Sequence, residues 1–296
     1  MATLREIRRR VQSVKNIEKI TKAMKMVAAV KFRKAQENVL AARPYAKKIG
    51  EIIRNLIPTV ENIDNVLCED RDTRKLCVMV VTADRGMAGS FNTNLIKEAQ
   101  NLVNAKYPEF YKSNNLFLIT VGKKAFDHFS KRNYDIYAKY NGVFDKLEFV
   151  NARNIVNDVI AGYKDKKIDR VVIIYNEFKS VIQSKIIEEQ FLPIVSLHSE
   201  GEKKEKEVAN FIYEPSSKEL IDYLLPKHLN TQIWRILLES YASEQAARMT
   251  AMDSATNNAN ELIDSLQLIY NKARQAGITK EILEVVGGAE ALREIS

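Results

Sequence analysis

Near the carboxyl end, apolar residues recur at Met252, Ala255, Ala259, Leu262, Leu266, Ile269, Ala273 and Ala276, in alternating steps of three and four. This spacing keeps one apolar seam along a helix, the pattern of a coiled coil. Extended back past Pro226 to about Leu225 and forward to Val286, it covers roughly 60 residues, or about 90 Å of helix. Half of the seam is alanine, so a facing helix can come close. A stripe this narrow is no globular core, and it requires a partner helix.

The amino end supplies a candidate. Residues 3 to about 57 read as one helix, with apolar positions at Leu4, Ile7, Val11, Val14, Ile17, Ile20, Met24 and Val27. The three-residue steps from Val11 to Ile20 break the heptad and should overwind the pairing locally. Thr3 followed by Glu6 forms a capping-box pattern. Pro44 is expected to bend the helix and Pro58 to end it.

Between the two ends the period changes. LCVMVVTAD (76–84), NLFLITVG (115–122) and DRVVIIYNE (169–177) are apolar, β-branched runs that read as buried strands. Helical patterns lie between them at 92–104, 123–131 and 152–163. Strands alternating with helices imply a parallel α/β sheet. SKIIEEQFLPI (184–194) could add a strand, and GEKKEKEVAN (201–210) reads as a charged surface loop. The expected fold is therefore α/β: a long antiparallel coiled coil of the N- and C-terminal helices with an inserted Rossmann-like domain. The expected division is 1–57, 74–212 and 213–296.

Charge is unevenly placed. The chain carries +8 overall, yet residues 1–48 alone hold 14 lysines and arginines against 3 acids. Within TKAMKMVAAVKFRKA (21–35), Lys22, Lys25, Lys31, Arg33 and Lys34 meet no acid at all. A local charge excess points to a local partner. Cys68 and Cys77 form no C-x-x-C pair, which fits inert thiols in a reducing compartment. No apolar run reaches the roughly 20 residues of a membrane span. MATLREIRRR lacks the apolar stretch of a secretory signal, and helical periodicity from Leu4 disfavours a transit peptide.

Motifs for chemistry are sparse. TADRGMAGSFN (82–92) lies between a strand and a helix, where nucleotide loops occur, but it has no G-x-G-x-x-G and no following G-K-[ST]. It reads as a tight turn whose glycines relieve strain. VGKKAF (121–126) lacks the earlier glycine a phosphate loop needs. His128, His198 and His228 are scattered surface histidines by this reading, and no nucleophile motif is present. No catalytic, cofactor or metal residue is assigned. Composition and spacing stop at a basic coiled coil with an α/β insert. That description leaves open a mechanical part, a nucleic-acid-associated coiled coil, or an adaptor whose α/β domain binds a small molecule.

Longer motifs go further. RRRVQSVKNIEKI followed by TKAMKMVAAVKFRKA resembles the N-terminal signature of the γ subunit of F-type ATP synthase. ITKEILEVVGGAEAL (278–292) resembles that family's C-terminal signature. SEQAARMTAMDSATNNA (243–259), LIYNKARQAGITKE (268–281) and TADRGMAGSFN fit between. The resemblance spans essentially the whole chain.

It implies a non-catalytic rotor shaft, without cofactor, inside a ring of α and β subunits. The inserted domain would rest with the ε subunit on the membrane c ring. Proton-driven rotation of that ring would drive the three β sites through successive conformations. The basic collar would then face acidic loops of the β subunits. By position, Met24, Lys25, Arg248, Arg274, Gln275, Thr279 and Glu281 match contacts with the catalytic ring. In FIYEP (211–215), Tyr213 and Glu214 match the foot over the c ring. The apolar tip with Ile282, Leu283, Val285 and Val286 would turn in an apolar sleeve. No nucleic acid and no direct membrane insertion are expected. Localisation is expected to be peripheral, on the cytoplasmic face of a bacterial plasma membrane. MAGS (87–90) departs from relatives that carry a cysteine followed by two glycines there, and no cysteine-bearing regulatory insertion is seen.

Overall fold

A computed structural model describes residues 3–56, 65–69, 71–180, 183–194, 214 and 216–295. In chain order its elements are α1 (Leu4–Leu56), a 3-10 turn (Val66–Cys68), β1 (Leu76–Val81), α2 (Phe91–Lys106), α3 (Pro108–Lys112), β2 (Leu116–Val121), α4 (Lys123–Phe129), β3 (Asp135–Tyr140), α5 (Phe149–Lys164), β4 (Arg170–Phe178), β5 (Ser184–Leu192) and α6 (Ser217–Ile295). The chain divides into two compact units: Met1–Val27 with Met249–Ser296, and Ala28–Arg248.

In the larger unit, the five strands lie in the order β3-β2-β1-β4-β5. The first four are mutually parallel. The further strand offered by SKIIEEQFLPI is β5, and it pairs antiparallel with β4. Only residues 179–183 separate the two strands, and a parallel crossover needs a dozen or more. A hairpin was therefore the only connection available. β3 was not anticipated because it is an edge strand, DIYAKY, whose charged residues and partial exposure hide the period.

Every residue of β1 is buried, so the sheet is covered on both faces. Leu76, Val78, Val80, Leu116, Leu118 and Val172 pack against Leu95, Ala99 and Val103 of α2 and Ala125 and Phe129 of α4. On the opposite face, Cys77, Met79, Val81, Ile119 and Ile173 pack against Ile155, Val156 and Val159 of α5. That face also receives Ile49, Ile53 and Leu56 of α1 and Ile221, Leu225, Leu229, Ile233 and Leu237 of α6. The roots of both long helices are thus part of the domain's own core. Burial pushes the Cys68 thiol up to about 11 and the fully enclosed Cys77 thiol higher still, so neither is a thiolate near neutrality.

α6 begins at Ser217, earlier than the coiled-coil period traced back to about Leu225. Ser216 accepts the backbone N–H of Glu219 at 3.3 Å, an N-cap that sets the boundary. Pro226 lies inside the helix and does not break it, because the flanking Leu225 and Leu229 are locked in the core. Pro44 is likewise internal to α1. Pro58 lies outside the described residues.

The smaller unit is an antiparallel helix pair. Its α1 segment opens with the expected capping box: Thr3 N–H donates to Glu6 Oε2 at 2.8 Å, and Glu6 N–H to Thr3 Oγ1 at 3.3 Å. The facing residues are Ile7, Val11, Val14, Glu18, Thr21 and Lys25 on α1, and Met252, Thr256, Ala259, Ile263, Leu266, Tyr270, Ala273 and Gly277 on α6. Both lists step strictly by four and three, so the anticipated break in the heptad is absent. Ile17 and Ile20 are 50% and 58% exposed, and Leu262 and Ile269 are each 48% exposed. On α6, the expected Leu262, Ile269 and Ala276 give way in the seam to their successors, while Ala255 stays half-buried beside Thr256. Residues three or four places beyond the Met252–Ala259–Leu266–Ala273 spine flank it on opposite sides. Spacing alone does not choose between the sides; the partner helix does.

Candidate functional site

In a sheet of this order the chain leaves β1 toward β2 and later returns to β4 on its other side. The carboxyl ends of β1 and β4 therefore frame the crevice where doubly wound proteins hold ligands. Here the crevice is organised by Asp84. Its carboxylate accepts the backbone N–H groups of Lys123 at 3.0 Å, Gly142 at 2.8 Å and Phe144 at 3.1 Å, tying three loops together. Asn92 Oδ1 caps Ala83 N–H at 2.9 Å. Gly89 has φ +57°, as a strain-relieving glycine should, but Met87 also has φ +61°. Gly122 answers a different need: a Cβ there would lie 2.1 Å from the Thr82 carbonyl oxygen. It lets the β1 and β2 ends approach, and it carries no phosphate loop.

The crevice is filled by α6. Ser240 Oγ donates to the Val81 carbonyl at 3.5 Å and Ser243 Oγ to the Asn176 carbonyl at 3.4 Å, at the ends of β1 and β4. Ala247 packs on Ala83, Ala88 and Phe91. Arg248 pairs with Glu244 and donates to the Gly86 carbonyl at 2.9 Å. Burial raises the Glu244 carboxyl above its ordinary range, against the opposing pull of Arg248. The space in which a small molecule would meet the 82–92 turn is occupied by this chain's own helix.

A second polar cluster lies beside β5. Glu239 Oε1 accepts from Arg43 Nε at 3.3 Å, and Arg43 also donates to the Phe178 carbonyl at 2.9 Å. Arg235 donates to both oxygens of Glu189, at 3.2 and 3.0 Å, while Tyr175 and Gln232 complete that carboxylate's shell at 3.0 and 2.7 Å. These groups border a cavity of about 460 Å³ that His228 also lines. Burial raises the Glu239 carboxyl and lowers the His228 imidazole. His128 and His228 are half-buried rather than surface groups, and His198 lies outside the described residues. Among the described residues, no group of three or more His, Cys, Asp and Glu could hold a metal.

In the helix pair, Thr21 Oγ1 and Thr256 Oγ1 are 2.8 Å apart and buried. One turn away, Lys25 Nζ meets Asp253 Oδ1 at 2.5 Å. A groove of about 910 Å³ runs between Ile7 and Ser13 on one side and Leu266, Ile269 and Ala276 on the other, with Arg9, Arg10 and Lys272 also lining it.

The family model for ATP synthase matches residues 3–292. The "ATP synthase gamma chain" of Chloroherpeton thalassium is 48% identical over 302 residues, with 99% of each chain covered. That of Chlorobium phaeobacteroides (strain DSM 266) is 49% identical, covering 99% of this chain and all of the relative. The chain belongs to the ATP synthase gamma chain family. Solved structures agree on the fold. A chain of the Euglena gracilis mitochondrial ATP synthase, OSCP/F1/c-ring, matches 98% of this chain and 94% of its own length at TM-score 0.67 and 20% identity. A chain of the central stalk/c ring of the Tetrahymena thermophila mitochondrial enzyme matches 80% of this chain and 99% of its own length at TM-score 0.59 and 24% identity.

In this gamma chain family member, the residues singled out from sequence fall into three settings. Arg274, Gln275, Thr279 and Glu281 are exposed on α6, and Thr279 Oγ1 donates back to the Gln275 carbonyl at 3.0 Å. The tip residues Ile282, Leu283, Val285 and Val286 are exposed as well. Met24 is half-buried, while Lys25 and Arg248 are engaged within the chain, the Arg248 side chain being only 12% exposed. Contrary to the expectation that partners supply the carboxylates for the basic stretch, two of its cations are served within the chain. Asp253 serves Lys25, and Glu37 lies 3.6 Å from Arg33. Among the described residues, Lys22, Lys31 and Lys34 form no ion pair. Glu214 is exposed; Tyr213 and the 201–210 loop lie outside the described residues. Sequence reasoning missed Thr21, Thr256 and Asp253. Only the facing helix gives these short polar residues a role, and nothing in their spacing marks it. No described helix is long and apolar enough to cross a membrane.

Proposed function

We propose that this chain is the central rotor stalk of an F-type ATP synthase. It couples proton-driven rotation of a c ring to conformational changes at three catalytic β subunits, for ATP synthesis or hydrolysis. The observation that carries the reading is the end-to-end match to gamma chains at nearly half identity. The paired helices are the shaft and meet the α and β subunits; the α/β domain meets the ε subunit and the c ring. The working division is 1–57, 74–212 and 213–296. The subunit is non-catalytic itself, a reading supported by the filling of its ligand crevice by α6. It lies peripherally on the cytoplasmic face of a bacterial plasma membrane.

Contacts with the catalytic ring are assigned to Met24, Lys25, Arg248, Arg274, Gln275, Thr279 and Glu281, and the foot to Tyr213 and Glu214. Arg274, Gln275, Thr279 and Glu281 are the most available of these. Lys25 and Arg248 would first have to release their internal acids. The exposed surface suits a sliding contact. Apolar side chains give directionless contact, and exposed lysines attract at about 1 kcal/mol or less per pair. Desolvated ion pairs would hold the shaft at about 3–5 kcal/mol each. Torque then comes mainly from helix shape and stiffness. The test is co-expression with the partner subunits and a bead attached to the α/β domain. One copy per three β subunits and ATP-driven stepwise rotation are expected. A complex that assembles and hydrolyses ATP with the bead stationary overturns the reading.

A further inference from the structure

The helix pair covers one of two neighbouring faces of similar apolar content. On α1 the seam carries Glu18, Thr21 and Lys25, whereas Ile17, Ile20 and Val27 are half or more exposed. On α6 it takes Thr256, with Ile263 and Tyr270 in place of the half-exposed Leu262 and Ile269. Turning each helix one residue back, toward Ile17, Ile20 and Met24 on one side and Ala255, Leu262 and Ile269 on the other, would keep heptad spacing while exchanging Ile7, Val11 and Val14 for Glu6, Arg10 and Ser13, with three apolar residues of six on either α1 face. Apolar burial is non-directional and scales with area, so it does not account for the observed choice.

What the observed face has, and the turned one lacks, is two specific cross-helix polar contacts. Thr21 Oγ1 and Thr256 Oγ1 lie 2.8 Å apart, and each is also within reach of a carbonyl of its own helix, Glu18 at 3.0 Å and Met252 at 2.8 Å, so one hydroxyl donates across the pair while the other donates along its own helix. Lys25 Nζ meets Asp253 Oδ1 at 2.5 Å. A polar group at a seam position specifies register at a cost in stability, since another register loses the cross-helix contact: the threonine pair is buried, and the Lys25 and Asp253 side chains, 41% and 47% exposed, add the smaller preference of a half-solvated pair. We infer that Thr21, Thr256, Lys25 and Asp253 are positioning residues that pin the rotational register of the helix pair and so hold Ile17, Ile20, Leu262 and Ile269 outward. On the stalk reading, those outward residues are the ones the catalytic ring meets. The pin itself does not depend on that reading.

The test uses the full chain in a Cys68→Ser background, with Ile20→Cys or Leu262→Cys as a reporter; the remaining Cys77 is buried. Both reporters are accessible in the pinned register and enclosed in the turned one. Replacing the pin with apolar residues (Thr21→Val, Thr256→Val, Lys25→Met, Asp253→Leu) is expected to slow maleimide labelling at both sites about tenfold, as a nine-to-one shift in population requires. Helix content is expected to be retained. A second set keeps the threonines: Lys25→Asp alone slows labelling, and Lys25→Asp with Asp253→Lys restores the parental rate. A merely stabilising contact would move the melting temperature and leave the reporters unchanged. Labelling within about twofold of the parent in every folded variant, or failure of the swap to restore it, overturns the inference. Neither result bears on whether the chain rotates in the complex.

Discussion

If the root of α1 belongs to the core of the α/β domain, then Ile53→Ala should cost far more than Ile52→Ala, one residue away on the same helix. Ile53 is fully buried among Ile49, Leu56 and the sheet-facing residues of α6, whereas Ile52 is 38% exposed. Truncating isoleucine to alanine removes three carbons. At about 0.8 kcal/mol for each, the lost transfer free energy is roughly 2.4 kcal/mol. The cavity left beneath a covered sheet brings the expected total to about 3–5 kcal/mol. For Ile52, with part of its surface already in water and room for neighbours to relax, about 1 kcal/mol or less is expected. Equilibrium urea unfolding of the two variants, followed by the Trp234 fluorescence and by far-UV circular dichroism, measures both. The packing argument is refuted if the two variants are destabilised equally, or if Ile53→Ala costs under 1 kcal/mol. A functional corollary follows on the stalk reading. A domain that drives its shaft must grip it, and the loosened variant should slip under load before it dissociates.

Other consequences are as direct. Gly122→Ala places a methyl 2.1 Å from the Thr82 carbonyl at φ +92°, so the ends of β1 and β2 must part. A loss of at least about 3 kcal/mol, or no folded product, is expected by the same unfolding assay. For pH, the folded-state Glu244 carboxyl is raised by burial. The native state therefore holds a proton that the unfolded chain has released once pH exceeds the ordinary carboxylate value. Its contribution to stability falls as pH rises from that value through the folded one. Unfolding free energies measured across that window should lose this decline in Glu244→Gln; an unchanged difference between parent and variant at every pH would contradict the assignment.

Much of the architecture was legible because it rests on period. The two terminal helices, the strands β1, β2 and β4, and the Thr3–Glu6 cap all follow from local spacing and side-chain type. Errors arose where a residue's role depends on what faces it. β3 is an edge strand without a hydrophobic alternation to betray it. Of the candidate contact residues, Arg274, Gln275, Thr279 and Glu281 are placed outward as a partner surface requires. Lys25 and Arg248 proved to have acids of their own, brought from far along the chain.

The sequence by itself determined that two long helices must pair and that a sheet domain stands between them, since a narrow apolar stripe and buried strand runs have few other solutions. Which side of each stripe is covered was decided only by tertiary structure. Adjacent residues on a helix differ by about 100° in direction, and both directions carry apolar side chains here. The choice between them depends on Thr21 meeting Thr256 and Lys25 meeting Asp253, contacts that exist only once the two ends of the chain lie together.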